Sequence, residues 1–165
     1  MGIQQILLGT SRASAALIDR TTGTIITNFD LRTSAAYDGT TNQAGSAATF
    51  KNNAVANSGY SGKTLATPSA MYEVVVYGSN DFGYAQAADP TITLTLYGKN
   101  GAAPASGTNG TALGSITFVD TANESAGRTI SSADVYTVYD HVWVNLTQAN
   151  NVNLAIAEIE MYGWQ

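Results

Sequence analysis

The segment TITLTLYG, positions 91–98, alternates apolar and hydroxyl-bearing side chains with a period of two residues. In an extended chain, Ile92, Leu94 and Leu96 point to one side and the intervening threonines point to the other. A helix has a period of 3.6 residues and would scatter the same side chains around its axis. The segment therefore predicts a strand with one face in a core and the other toward solvent or a partner.

The same period recurs along the whole chain, in runs that end at turn residues. The predicted strands are 24–29, 46–51, 70–78, 91–98, 112–119, 136–147 and 152–162. The only helical element predicted is a short turn near Ser131–Asp134, which its serines would cap. The fold class is therefore all-β, and the absence of a composition break predicts a single antiparallel β-sandwich of jelly-roll type over residues 21–165, preceded by an N-terminal strand or arm, 1–20.

The last predicted strand changes the phase of its apolar residues near Ala157. Leu154 and Ile156 share one phase, whereas Ile159 and Met161 share the other. Such a change indicates either a bulge or a strand that is buried on both faces.

Composition excludes several classes of function. The net charge is −5 with only seven Lys and Arg, so no basic surface is expected for nucleic acid or for an anionic membrane. The absence of cysteine excludes thiol nucleophiles and cysteine-ligated metal sites. The apolar run of residues 3–8 contains two glutamines and lacks a basic flank, which argues against a signal peptide or a membrane span. We therefore expect neither nucleic-acid binding nor membrane insertion.

Nothing in the sequence predicts an enzyme. His141 is the only histidine, and no nucleophile-elbow motif accompanies it. The residues predicted to bind a ligand are instead aromatic or lie on one face of the strand that contains His141. Val142 and its apolar neighbours lie on the opposite face of that strand, toward the core. These candidate ligand-binding residues are Phe82, Tyr84, His141, Trp143 and Asn145. The alternative interpretation of the strand is a plain surface or interface ladder on an outer sheet.

Three segments resemble parts of the galactose-binding-like β-sandwiches, the superfamily of discoidin or coagulation-factor type C domains and many carbohydrate-binding modules. AEIEMYGW at 157–164 resembles the closing strand, VVVYGSND at 74–81 a strand and its following turn, and AAYDGTTNQ at 35–43 an early loop. The three matches come in the expected order. The loop at 35–43 continues without the tryptophan that is usual in this superfamily.

The resemblance also implies a structural calcium ion. Asp38, Thr41 and Glu158 match positions that supply oxygen ligands in many members, and calcium prefers six to eight oxygens. The alternative is that Asp38 caps an Asx-type turn at Gly39, while Glu158 is solvated or bonded to backbone amides. Both interpretations stay open at the level of sequence.

A second resemblance is to short proteins of tailed bacteriophages, carried by segments such as YSGKTL (60–65), VYGSNDFGY (76–84) and YDHVWVNL (139–146). It implies a non-enzymatic virion structural protein on the particle exterior: a capsid decoration, head-fibre or tail accessory protein that aids adhesion to host glycans. The implied partners are other virion proteins, in a homo-oligomer or bound to a lattice through residues 3–8 and the loop 99–110. The alternative function is a freestanding carbohydrate-binding module.

Overall fold

A computed structural model describes residues 15–51, 58–121, 126–150 and 152–164. Within them the chain forms ten strands and a single-turn 3₁₀ helix at Ala35–Tyr37. The strands are β1 (Ala16–Leu17), β2 (Thr24–Thr27), β3 (Thr49–Lys51), β4 (Ser58–Tyr77), β5 (Thr91–Lys99), β6 (Thr111–Val119), β7 (Arg128–Ser131), β8 (Val138–Gln148), β9 (Leu154–Ile156) and β10 (Glu158–Trp164). The all-β prediction is confirmed, and all of these strands pair antiparallel.

The 20-residue strand β4 organises the sandwich. Its first half pairs with β2 and β8, whereas its second half pairs with β10 and β7. The pairing with β8 shifts register between Thr64 and Ser69, a stretch that contains Pro68. Proline cannot donate to a ladder, and such an irregularity bends a strand. β4 therefore runs through both layers of the sandwich. The strand order of the main sheet is β1-β10-β4-β8-β5-β6.

The core is built from the predicted inward faces. Ile92, Leu94 and Leu96 of β5 are completely buried. On the opposite face, the hydroxyl of Thr93 lies 2.9 Å from that of Thr117 on β6, and Thr95 lies 3.1 Å from Ser115. The period-two pattern of this segment therefore predicted its orientation correctly.

The change of phase near Ala157 marks a change of partner strand. β9 pairs with β3 in a separate two-stranded sheet, whereas β10 pairs with β4. Between them, the Ala157 amide donates to the Tyr77 carbonyl at 2.8 Å. The predicted irregularity is confirmed, and it lets one chain segment serve two sheets.

Some element predictions were wrong. The residues near Ser131–Asp134 do not form a helical turn, because Asp134 and Ser132 bond to nearby backbone groups and β7 occupies 128–131. The first half of β4 and the whole of β7 were not predicted. The strand predicted at 46–51 begins only at Thr49.

Most of the predicted arm lies outside the described residues, including residues 3–8. Its described end contributes β1, which pairs with β10, and Ile18, which is buried in the core. Among the described residues there is no helix with the length and apolar character needed to cross a membrane.

Candidate functional site

The predicted ligand-binding face of β8 is covered. His141, Trp143 and Asn145 are each at most 5% exposed. The loop 99–110 folds back over them: the Trp143 indole donates to the Gly107 carbonyl at 2.7 Å, and His141 Nε2 donates to the Gly101 carbonyl at 2.7 Å. The prediction of an exposed face was therefore wrong, because the chain's own loop occupies it.

Both ring nitrogens of His141 are hydrogen-bonded. Its Nδ1 lies 2.8 Å from the Thr64 hydroxyl, while Nε2 is bonded to Gly101. A general base needs a ring nitrogen within reach of a substrate proton. The histidine therefore fixes the loop 99–110 to the sheet and offers no nitrogen to a substrate in this arrangement.

Tyr84, another of the predicted ligand-binding residues, also lies in the core, where no ligand can reach its ring. Its hydroxyl donates to the Val76 carbonyl at 2.6 Å, and burial raises the pKa of the phenol. The buried carboxylate of Asp120 accepts from the amides of Tyr84 and Ala85, at 2.7 and 3.1 Å. These bonds turn the ring inward.

Phe82 is the one predicted ligand-binding residue that stays partly exposed. Its ring meets Phe50 edge-on, with centroids 6.0 Å apart. The Arg32 guanidinium lies 5.7 Å from the centre of the Phe50 ring and donates to two backbone carbonyls. Gly45 lies so close beneath Phe82 that a Cβ there would be 2.0 Å from the ring. This corner is packed, and it leaves only part of one ring accessible.

A larger apolar surface, which the sequence did not predict, lies at the other end of β10. It consists of Tyr72, Tyr136, Val138 and Trp164, here called the aromatic surface. Tyr72 is 46% exposed, Tyr136 78% and Val138 51%. Ala70 of β4 pairs with Trp164 on one side and with Val138 on the other, and the Tyr72 and Trp164 rings meet edge-on at 5.5 Å. The surface thus spans three neighbouring strands, roughly 10 Å across.

A β-bulge turns Tyr72 outward. On β10, Tyr162 pairs with Glu73 and the next residue, Gly163, pairs with Met71. Tyr72 is therefore the extra residue of β4 at this point. Bulges re-aim side chains and are common beside binding sites.

Asp134 fixes the backbone at Tyr136. Its Oδ1 accepts from the amides of Tyr136 and Thr137, each at 3.0 Å, and its Oδ2 accepts from the Tyr139 hydroxyl at 3.2 Å. Hydrogen bonds from Thr137 lower the pKa of Asp134 to about 2. The Ser132 amide donates to the Tyr72 carbonyl at 2.8 Å, so the same loop lies against the bulge. An exposed tyrosine is thus presented by an ordered turn.

Two of the three predicted calcium ligands, Asp38 and Glu158, lie in one region but are already hydrogen-bonded to N–H groups. Asp38 Oδ1 accepts from the Thr40 amide at 2.8 Å, and the Gln43 side chain donates to both Asp38 oxygens. Thr41 is half-buried in the same loop. The Asp38 contacts are those of the Asx-turn alternative.

Glu158 is equally occupied. Its side chain is completely buried; Oε2 accepts from the Gly39 amide at 2.7 Å, and Oε1 lies 3.5 Å from Arg20 Nη1. Among the described residues no three acidic, histidine or cysteine side chains gather as a metal site. As arranged, these residues do not fit a calcium ion.

Glu158 makes stability depend on pH. Burial raises its pKa from 4.5 to about 6, so the folded state binds this proton more tightly than the unfolded state. The contribution of Glu158 therefore favours folding below about pH 4.5 and is lost as the pH rises through about 6. We expect urea unfolding between pH 4 and 7 to show this trend in the wild type and to show it less in Glu158→Gln; parallel profiles would contradict the assignment. The lowered pKa of Asp134 acts in a separate window, below 3.8.

Known structures share this fold. No family model matches the sequence, and no curated protein matches it. A fucolectin from striped bass (Morone saxatilis) serum has a TM-score of 0.66 at 16% identity, covering 91% of this chain and 50% of its own. An F5/8 type C domain of a Bacteroides fragilis protein has a TM-score of 0.64 at 14% identity, covering 93% and 99%. The protein has a galactose-binding-like β-sandwich fold. The family 32 carbohydrate-binding module of C. perfringens NanJ, solved with galactose, has a TM-score of 0.61 at 12% identity, covering 90% and 98%.

The galactose-binding-like fold confirms the resemblance carried by the segments at 35–43, 74–81 and 157–164. The chain spans half the length of the striped bass fucolectin and nearly all of the two single modules. The aromatic surface was missed because its members are distant in sequence. The one signal in the sequence was the pair Tyr136 and Val138 at the start of the predicted strand 136–147.

Proposed function

We propose that this protein is a non-enzymatic glycan-binding module and that the aromatic surface is its ligand-binding site. The observation that carries the proposal is the exposed Tyr72 ring, which meets the half-buried Trp164 ring edge-on, together with the exposed Tyr136 two residues before Val138 on the neighbouring strand. Aromatic rings stack against the C–H faces of sugars, and exposed aromatic clusters are uncommon without a partner. Solved proteins with this fold include a fucolectin and a module bound to galactose.

Polar groups border these rings. Ser131 and Thr137 are exposed, and Glu73 is half-buried beside Tyr72. Hydroxyl and carboxylate groups at the rim of an apolar platform can hydrogen-bond sugar hydroxyls and so orient the ligand. The ordered turn at Asp134 lowers the entropic cost of fixing Tyr136 on binding.

A glycan array on the purified protein, followed by calorimetry with the best ligand, tests this proposal. Tyr72→Ala and Tyr136→Ala should each weaken binding by about threefold to tenfold, the loss of one aromatic stacking contact. Val119→Ala is the matched control, since Val119 is 53% exposed and lies on β6, outside the surface. Phe82→Ala tests the corner near Phe50.

The possible results test the function and the place of the binding site separately. If the array detects no glycan binding, the proposed function is wrong. Glycan binding that is unchanged in Tyr72→Ala and Tyr136→Ala but lost in Phe82→Ala moves the site to the Phe82 corner.

A place on the exterior of a bacteriophage particle stays a separate proposal, supported by the sequence resemblance. The protein would be a capsid decoration, head-fibre or tail accessory protein bound to other virion proteins. Many copies on one particle would then bind host glycans together, so that many weak sites gain avidity. Mass spectrometry of purified particles checks this: the protein should be present at a fixed copy number relative to the major capsid protein.

A further inference from the structure

We propose that the Arg20 guanidinium is a structural cation at the junction of loop 38–40 with β10. It neutralises the carboxylates of β10 and joins the loop to the strand, as a bound metal ion would. This inference is independent of glycan binding. It rests on the contacts of Arg20, of the two glutamates of β10 and of Lys63.

One nitrogen of Arg20 lies between two carboxylates. Nη1 is 3.5 Å from Glu158 Oε1 and 3.9 Å from Glu160 Oε1. The two glutamates share one face of β10, because they are two residues apart in a strand. Two carboxylates held side by side repel each other unless a cation lies between them. The guanidinium supplies that positive charge.

The loop of Asp38 rests on the same guanidinium. A Cβ at Gly39 would lie 3.0 Å from both Cζ and Nη2 of Arg20, and Gly39 has φ +90°, a conformation that other residues rarely adopt. The Gly39 amide donates to Glu158 Oε2 at 2.7 Å. Arg20 and Glu158 thus hold the loop together, as a shared ion would by binding both.

A buried lysine, Lys63, holds the segment that carries Arg20. The Lys63 ammonium donates to the carbonyls of Arg20 and Thr22, at 2.6 Å for Thr22. Lys63 is only 4% exposed, and its ammonium lies 5.0 Å from the centre of the Tyr37 ring. Carbonyl oxygens are common calcium ligands, and here two of them are taken by an ammonium group.

The inference has two consequences. The wild-type fold should need no divalent ion, since its positive charges are covalently part of the chain. Removing the guanidinium should leave two adjacent carboxylates, one of them buried, without their cation. Such a pair, with the freed space between loop 38–40 and β10, should then accept Ca²⁺ or Tb³⁺, which favour carboxylate oxygens.

Thermal unfolding of wild type and Arg20→Ala, each with excess EDTA or with millimolar Ca²⁺, tests the proposal. The wild-type Tm should be the same in both conditions. In EDTA, Arg20→Ala should melt about 5 °C or more below the wild type, because a buried carboxylate has lost its partner. Calcium should recover part of that loss, since a ligand that binds only the folded state raises its Tm.

Two controls make the result specific. Lys99→Ala removes a cation that bonds to Asn109 in a surface loop, so its Tm should not respond to calcium. Arg20→Ala combined with Glu160→Gln should lose most of the calcium response. Should Arg20→Ala prove too unstable to melt cleanly, Tb³⁺ luminescence on Arg20→Lys and wild type provides a direct measure of binding, with no uptake expected in either.

Three results would overturn the proposal. One is a wild-type Tm that falls in EDTA. The second is an Arg20→Ala variant whose Tm is unaffected by calcium. The third is Tb³⁺ bound by the wild type, which would show that the guanidinium does not occupy the cation position.

Discussion

Replacing Trp143 with alanine is expected to lower the free energy of unfolding by about 3–5 kcal/mol. The indole is completely buried, stacks on Tyr97 with ring centroids 5.6 Å apart, and donates to the Gly107 carbonyl. Its removal leaves a large cavity and frees the loop 99–110 from the sheet. Urea unfolding followed by circular dichroism measures the change.

Trp143→Phe separates packing from the hydrogen bond. It keeps most of the buried ring but removes the indole N–H, so the loss should be much smaller than for alanine. A Trp143→Ala variant that keeps wild-type stability but no longer binds glycan would return Trp143 to the ligand-binding residues and contradict its buried position.

Replacing Asp120 with alanine is expected to cost about 2–5 kcal/mol, because two buried N–H groups lose their acceptor. Asp120 is only 1% exposed, and one of its carboxylate oxygens accepts hydrogen bonds from the amides of Tyr84 and Ala85. Those bonds hold the turn after β4 and keep the Tyr84 ring in the core. The free energy of unfolding in urea at neutral pH checks the prediction.

Asp120→Asn is the matched control. Asparagine keeps an oxygen in the same position, so both amides can stay bonded and the loss should be at most about 1 kcal/mol. If Asp120→Ala unfolds at the same urea concentration as Asp120→Asn, the two amides have found other acceptors, and Asp120 does not hold the turn.

These predictions distinguish two groups of aromatic residues. Trp143 and Tyr84 stabilise the sandwich from inside, so their loss should reduce stability. Tyr72 and Tyr136 are exposed, so their loss should reduce ligand binding and leave stability nearly unchanged. A functional surface is thus separated from the core by two different measurements.

Features that depend on adjacent residues were predictable from the sequence, whereas roles that depend on contacts between distant segments were not. The irregularity at Ala157 was predictable, because a change of apolar phase is a local property of adjacent residues. The grouping of Asp38 with Glu158 followed from a family resemblance, and the structure does bring Gly39 and Glu158 into contact. The chemistry of that contact depends on Arg20, which no local pattern connects to either residue.

The sequence by itself determined that the fold is all-β and which side of the clearly alternating strands is apolar, because alternation with a period of two is recorded in neighbouring residues. It could not determine whether the outward side of β8 is open. That depends on the loop 99–110, which returns across the sheet to bond with His141 and Trp143. Nor could it reveal Tyr72 as an exposed residue, since a bulge is defined by the register between β4 and β10. Exposure is set by pairings between distant segments, and only the tertiary structure decides them.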